Sequence, residues 1–267
     1  MITFYHSGNC GDIIASLPFC IEYNKEVGTE DRFNFTCILN VVNKTDPKFE
    51  VPNVSSKIFP FDEEMFNLLT PLLKEQPYIK NINSIKSGDS FPTDKDHVNL
   101  NLFRKREKLL YYTNLTRVYS ILHPLVNALH DDEPWLFADK DEEFKNKIVL
   151  SHSLRYVSDC ALGDLYPYMK DIIFIGTKEE YNWMHNKLPE IKYYPVKDFY
   201  DTAIAINSCK LFISNQTMNW WIAEGLKVPR FILRFNDSPN CIPMGRNGFT
   251  IPESPYFYLM LKKKLGY

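Results

Sequence analysis

The chain has 267 residues, with 31 basic against 33 acidic side chains and a formal net charge of −2. That balance argues against a broad electropositive face for nucleic acid. A hydrophobic content of 45% with 15% aromatic residues indicates a packed globular protein rather than a disordered one.

No apolar run nears the roughly 20 residues that cross a bilayer. The start lacks a basic region followed by a long apolar stretch, so a signal peptide is not expected. Six cysteines are scattered without CxxC spacing, most of them in apolar contexts. Reduced, buried thiols and a cytoplasmic location are the expectation. The length admits one large domain or two of roughly 130 residues each.

In chain order, residues 2–6 read as a strand, 11–25 as a helix and 33–40 as a strand. A strand near 57–60, a helix over 62–75, strands at 78–83 and 97–101, and helical signals through 104–130 follow. Leu115, Val118, Tyr119, Leu122 and Val126 mark an apolar face there at three- and four-residue spacing. Residues 131–146 are acidic, contain Pro134 and read as a connection between halves.

The second half restarts with a strand at 148–151 and another at 171–176. Thr177 opens a helix to about 187, and 198–208 forms the next. A strand at 210–214, a helix from about 217 and a strand over 229–235 complete the pattern. Strands alternating with helices predict parallel sheets with crossover connections. The expected architecture is therefore α/β, with two Rossmann-like domains whose parallel sheets face a central cleft. The expected boundaries are 1–140 and 141–267, with the C-terminal helix packing back on the first domain by fold analogy.

Ligands in such sheets sit beyond the carboxyl ends of the strands, and the polar clusters fall there. Gly8, Asn9 and Gly11 form a glycine-bearing turn after the first strand, in a chain with only ten glycines. Asp12 either caps the following helix or serves as a general base on an acceptor hydroxyl. The turn is not GxGxxG, and no GxxxxGK[ST] occurs, which argues against dinucleotide and P-loop roles.

Ser151, His152 and Arg155 follow the strand at 148–151. Arg155 either belongs to a plain surface loop or presents its planar fork to a diphosphate. Gly176 and Thr177 follow the next strand. Ser214, Asn215, Gln216 and Thr217 lead into a helix whose N–H groups suit an anion. Trp220 and Trp221 either pack in the core or flank a base or sugar. Glu224 either reaches a sugar hydroxyl or is an exposed helix residue.

No HxxxH or HxH spacing suggests a metal, and Asp94-Lys95-Asp96 lies in a polar loop, so no metal ligand is expected. The basic run Lys262-Lys263-Lys264 reads as a solvated helix end or as a peripheral contact with an anionic membrane.

Taken together these positions resemble GT-B glycosyltransferases of the family 9, heptosyltransferase-like group. The match is Gly8, then Gly11-Asp12-Ile13-Ile14, then Leu17-Pro18. The resemblance implies that Asp12 is the catalytic base and that Arg155 meets the donor diphosphate. The family's late Asp-Thr-Gly-x-x-His motif falls on Gln216 to Trp221, where Thr217 and the helix running to Pro229 agree. The stretch Asn215 to Trp221 is also similar to the Asn-Ser-Thr-x-Ser-Trp-Trp run of GT-B fucosyltransferases.

The resemblance therefore implies a glycosyltransferase moving a sugar from a nucleotide-sugar donor to a glycan, lipid-linked or other hydroxyl acceptor. The nucleotide sugar is a co-substrate, and no cofactor or metal is implied. A non-catalytic nucleotide- or sugar-binding protein on the same scaffold, or a nucleotide-sugar epimerase, are the alternative expectations.

Overall fold

A computed structural model describes residues 1–40, 61–86, 89, 96–103, 109, 112–123, 131–157, 162–233, 239–252 and 254–266. The chain divides into two units, one of residues 1–107 with 116–129 and the other of 108–115 with 130–267. The strand expected at 57–60 and most of the helix expected over 104–130 lie outside the described residues.

In the first unit β1 (Thr3–His6), β2 (Phe33–Leu39), β3 (Ile79–Lys86) and β4 (His97–Asn99) form one parallel sheet in the order β3-β2-β1-β4. Between β1 and β2 runs α1 (Cys10–Val27), and α2 (Glu63–Lys74) precedes β3. Asp62 caps α2 by accepting from Met65 N–H at 3.0 Å.

The buried side of this sheet is aromatic. Phe4 meets Phe33 edge-on at 4.9 Å and Tyr23 at 5.8 Å, a geometry that aligns ring edges with ring faces. Ile13, Ile14 and Leu17 of α1 and Leu69, Leu72 and Leu73 of α2 are fully buried. Of the helical face expected from Leu115 onward, the structure describes α3 (Leu115–Tyr119) and a 3-10 turn at Ser120–Leu122.

The second unit holds β5 (Ile148–Ser151), β6 (Ile172–Phe174), β7 (Lys192–Tyr193), β8 (Leu211–Ser214), β9 (Arg230–Leu233) and β10 (Gly248–Ile251). They pair in parallel in the order β10-β9-β8-β5-β6-β7. Its helices are α4 (Lys178–Lys187), α5 (Phe199–Ser208), α6 (Met218–Leu226) and α7 (Ser254–Leu265). A 3-10 segment, Leu162–Asp171, leads into β6.

Both sheets are wound outward from a central strand, so each has a switch point where the chain reverses its direction of winding. In the first it lies between β1 and β4, and in the second between β5 and β8. Those gaps, at the carboxyl ends of the strands, are where such sheets leave room for ligands.

The C-terminal helix α7 buries Phe257, Met260, Leu261 and Leu265 in the core that covers β5, β6, β8, β9 and β10. The acidic connection is also carried by this unit. The N–H groups of Trp135 and Leu136 both donate to the Gly225 carbonyl, at 2.9 and 3.1 Å. A Cβ on Gly225 would lie 2.7 Å from Leu136 Cγ, so only glycine permits this approach. Further along, Asn207 Nδ2 donates to Ala138 O at 2.7 Å and Asp141 N–H to Ser208 Oγ at 2.7 Å.

Glu224 corrects both of its sequence readings. It is fully buried, with one oxygen 2.8 Å from Lys227 Nζ and the other 2.7 Å from Arg230 Nε. Met244 N–H also donates to it at 3.1 Å. Arg230 enters from β9 beneath Gly248, where a Cβ would stand 2.9 Å from its guanidinium. Burial depresses the Lys227 pKa, and the neighbouring Glu224 carboxylate opposes that shift. A carboxylate engaged in this way cannot reach a sugar, and it is not exposed.

Replacing Glu224 with alanine strands two buried cations, and the expected loss is about 3–5 kcal/mol in denaturant unfolding. A loss below about 1 kcal/mol would show that water compensates the pair.

Candidate functional site

At the first switch point the turn after β1 is held from several sides. Ser7 donates its N–H and its hydroxyl to Asn101 Oδ1, at 2.8 and 2.7 Å, and Asn101 follows β4. Gly8 N–H donates to His6 Nδ1 at 2.7 Å. The other ring nitrogen, Nε2, lies 2.7 Å from the Tyr119 hydroxyl, and that hydroxyl donates to the Asp12 main-chain carbonyl at 3.2 Å.

The glycine at position 8 has a steric cause. A Cβ there would stand 2.7 Å from Asp12 Oδ2 and closer still to the His6 ring. Asn9 is the N-cap residue of α1, with extended backbone and no side-chain capping bond. Asp12 lies inside the first helical turn, three residues after the N-cap. It is half-buried beside Gly11, where the positive end of the helix favours a carboxylate.

At the second switch point the loop after β5 and the loop after β8 are joined. Asn215 is fully buried and spends its amide on the neighbouring loop. It accepts from Ser153 N–H at 2.9 Å and donates to Ser153 O at 2.9 Å and to Tyr156 O at 2.6 Å. Ser151 Oγ accepts from Asn219 Nδ2 at 2.8 Å. Thr217 caps α6 by accepting from Trp220 N–H at 3.2 Å, and its oxygen lies 3.2 Å from Ser214 Oγ. Gln216 Nε2 donates to Asn240 Oδ1 at 3.2 Å.

The structure thus joins Ser151 to Asn219 and the Ser153–Tyr156 loop to Asn215, while giving some residues other duties than ligand contact. Asn215 acts by shaping the loop, because both of its donors are used. Trp221 and Trp220 are interior residues, 4% and 0% exposed, so the base-flanking reading gives way to core packing. Thr177 forms a capping box on α4, its hydroxyl accepting from Glu180 N–H at 3.2 Å and its own N–H donating to Glu180 Oε2 at 2.8 Å. Its hydroxyl thus has a structural duty at the start of α4. Gly176 has φ +151° and lies so close to Glu180 that a Cβ would fall 2.8 Å from its carboxylate.

Arg155 is exposed, stacked 4.9 Å over the Tyr156 ring, and its N–H donates to Ser153 Oγ at 3.4 Å. The loop that carries it is tied by Asn215, so the guanidinium is displayed on a fixed base. Among the described residues, no group of three or more His, Cys, Asp or Glu side chains is gathered for a metal, and Asp94 lies outside them.

Sequence reasoning did not single out Asn101, Tyr119, Ser153 or Asn219. Tyr119 was legible only as an apolar helix position, since its ring is buried and its single hydroxyl does the polar work. The three others sit at strand ends or a helix start, and that position was the only signal available.

His152 is buried and stacked on Trp183 at 4.9 Å. Burial, with Lys187 adding to it, lowers its pKa to about 4. Between its ordinary pKa of about 6.5 and 4 the unfolded chain binds a proton that the folded chain refuses, so stability falls as pH falls through that window. The expected cost by pH 4 is roughly 3 kcal/mol. Stability measured against pH should lose that part of its slope in His152→Gln, and an unchanged slope would assign the acid sensitivity elsewhere.

Comparison by sequence finds no matching family model and no matching curated protein. Comparison by structure finds glycosyltransferases. The chain superimposes on E. coli heptosyltransferase WaaC, solved with ADP, with a TM-score of 0.64 at 8% identity, covering 98% of this chain and 99% of that one. A family 9 glycosyl transferase from Veillonella parvula gives 0.58 at 11% identity, with 99% and 89% covered. E. coli ADP-heptose LPS heptosyltransferase II gives 0.53 at 9% identity, with 99% and 97% covered. Nearly end-to-end coverage with so few identical residues is a likeness of architecture, and the chain has the GT-B fold.

Proposed function

We propose that the chain is a metal-independent glycosyltransferase that moves a sugar from a nucleotide-sugar donor to a hydroxyl acceptor. One observation carries the reading. Each sheet has a built polar site at its switch point, with a half-buried carboxylate at the first and a fixed, exposed arginine at the second. The likeness to heptosyltransferases, of which WaaC is solved both with ADP and with an ADP-linked sugar, supports a nucleotide sugar as the donor class.

In this reading Asp12 takes the proton of the acceptor hydroxyl. The acceptor oxygen bonds to the anomeric carbon, and the bond to the diphosphate breaks with its electron pair leaving on phosphate oxygen. Arg155 and the N–H groups at the start of α6 meet that charge, the electrostatic role that counts most in such transfers. The unbridged buried cysteines suit a cytoplasmic setting.

Turnover with a panel of nucleotide sugars and hydroxyl acceptors tests the proposal. Asp12→Asn should keep donor binding and lose transfer by about 10²–10⁴-fold. Arg155→Ala should weaken nucleotide binding by roughly 10- to 100-fold, the scale of a charge-assisted bond. Thermal stabilisation by nucleotides without turnover would indicate a binding protein, and donor conversion without acceptor an epimerase.

α7 adds a membrane contact to the proposal. Tyr258 and Leu259 are 48% and 60% exposed, beside exposed Lys262 and Lys263, and no acidic residue interrupts the helix. Apolar and aromatic side chains beside lysines suit an anionic lipid surface, at about 1 kcal/mol per lysine. Co-sedimentation with vesicles containing phosphatidylserine should fall when Lys262 and Lys263 become alanine. Binding equal to that of neutral vesicles in the native chain would remove this contact.

A further inference from the structure

The proposed donor site has two anion-binding elements at the second switch point, the Arg155 loop after β5 and the N–H groups that open α6. The N–H groups of Met218 and Asn219 lie in the first turn of α6, where a helix has no main-chain acceptor for them. A diphosphate that uses both elements at once is sensitive to the distance between them. Strands β5 and β8 no longer fix that distance, because their paired register ends at Ser151 and Ser214.

Beyond that pair a side chain takes over from the main chain. A primary amide offers the same acceptor and donor as a peptide group. Asn215 Oδ1 accepts from Ser153 N–H at 2.9 Å, while Nδ2 donates to Ser153 O at 2.9 Å and to Tyr156 O at 2.6 Å. The amide fits only one way round, since an N–H must donate and a carbonyl must accept. Ser153 in turn receives the Arg155 N–H on its Oγ at 3.4 Å. The Asn215 main chain stands two residues before Thr217, the N-cap of α6. One fully buried residue thus holds the loop with its side chain and the helix start with its backbone. A second tie runs from the first turn of α6, where Asn219 Nδ2 donates to Ser151 Oγ at 2.8 Å.

We infer that Asn215 is a positioning residue that sets the spacing of the two anion-binding elements, so that the site selects a diphosphate over a single phosphate. The inference rests on the proposed donor role of Arg155 and α6. Asn215 does not itself touch the ligand, because it is buried and both of its donors are spent on the loop. Its effect is on span. A single phosphate can sit on either element alone, whereas a diphosphate gains from meeting both in one fixed geometry.

Titration calorimetry of the full chain with pyrophosphate and with inorganic phosphate tests this. Asn215→Leu keeps the size of the side chain and removes all three bonds. Pyrophosphate affinity should fall about 10-fold, and phosphate affinity by less than about threefold. In an Arg155→Ala background the same change should cost pyrophosphate less than about threefold, because the element it positions has gone. A plain loss of packing acts on both anions alike. Equal falls for the two, or an undiminished fall in the Arg155→Ala background, would therefore overturn the inference. Should Asn215→Leu not fold, hydrogen exchange of the Asn215 side-chain amide in the native chain gives the reading. Pyrophosphate should slow it about 10-fold and phosphate should not, and equal slowing or none overturns the inference. A native chain that binds neither anion, or that binds pyrophosphate no more weakly after Arg155→Ala, would instead sink the donor site itself, and the role of Asn215 with it.

Discussion

Parallel strands cannot be joined by hairpins, so each connection must cross a face of the sheet, and the hand of that crossing is fixed. A sheet wound first one way and then the other from its middle must part at the turning point. Here the turning points fall between β1 and β4 and between β5 and β8. Almost everything described at the two sites follows from that parting. The loops leaving adjacent strands diverge, their backbone polar groups lose their natural partners, and side chains such as Asn101 and Asn215 fill the gap. The same divergence leaves room that a ligand can occupy.

Helix starts and strands were legible where periodicity was strong. β1, α1, β2, α5 and β8 fall within a few residues of their expected limits because each pairs an apolar period with a boundary signal. Asp62, Thr177 and Asp198 each accept a hydrogen bond from the first turn of the helix that follows. The edge strands β7 and β10 were not foreseen. β7 is two residues long, and β10 begins at a glycine that makes room for the Arg230 guanidinium. Such pairings depend on neighbours far away in sequence, and local pattern is silent on them.

The candidate site was legible as a set of places and less so as a set of duties. Ser151, Asn215 and Thr217 lie at strand ends as the pattern placed them, but residue type alone could not tell a ligand contact from an internal tie. Asn215 and Thr177 carry groups that could serve either use, and the local backbone claimed them. Glu224 shows the same limit from the other side. Its i+3 and i+6 partners, Lys227 and Arg230, are visible in the sequence, yet only the fold brings all three beneath a glycine-edged strand out of water. A carboxylate between two buried cations also costs desolvation, so it contributes specificity of packing as much as stability.

The described cysteines are all buried and unbridged, and they are divided between the units. Burial pushes the Cys209 thiol up to about 12 and the Cys10 thiol higher still, so neither offers a reactive thiolate while the fold is closed. Cys10 begins the helical turn that carries Asp12, whereas Cys209 ends the helix on which the acidic connection is laced. The chain therefore contains internal reporters of local opening. The rate at which each thiol meets a labelling reagent measures how often its own surroundings part, so the rigidity of the two units can be timed separately in one unmodified molecule.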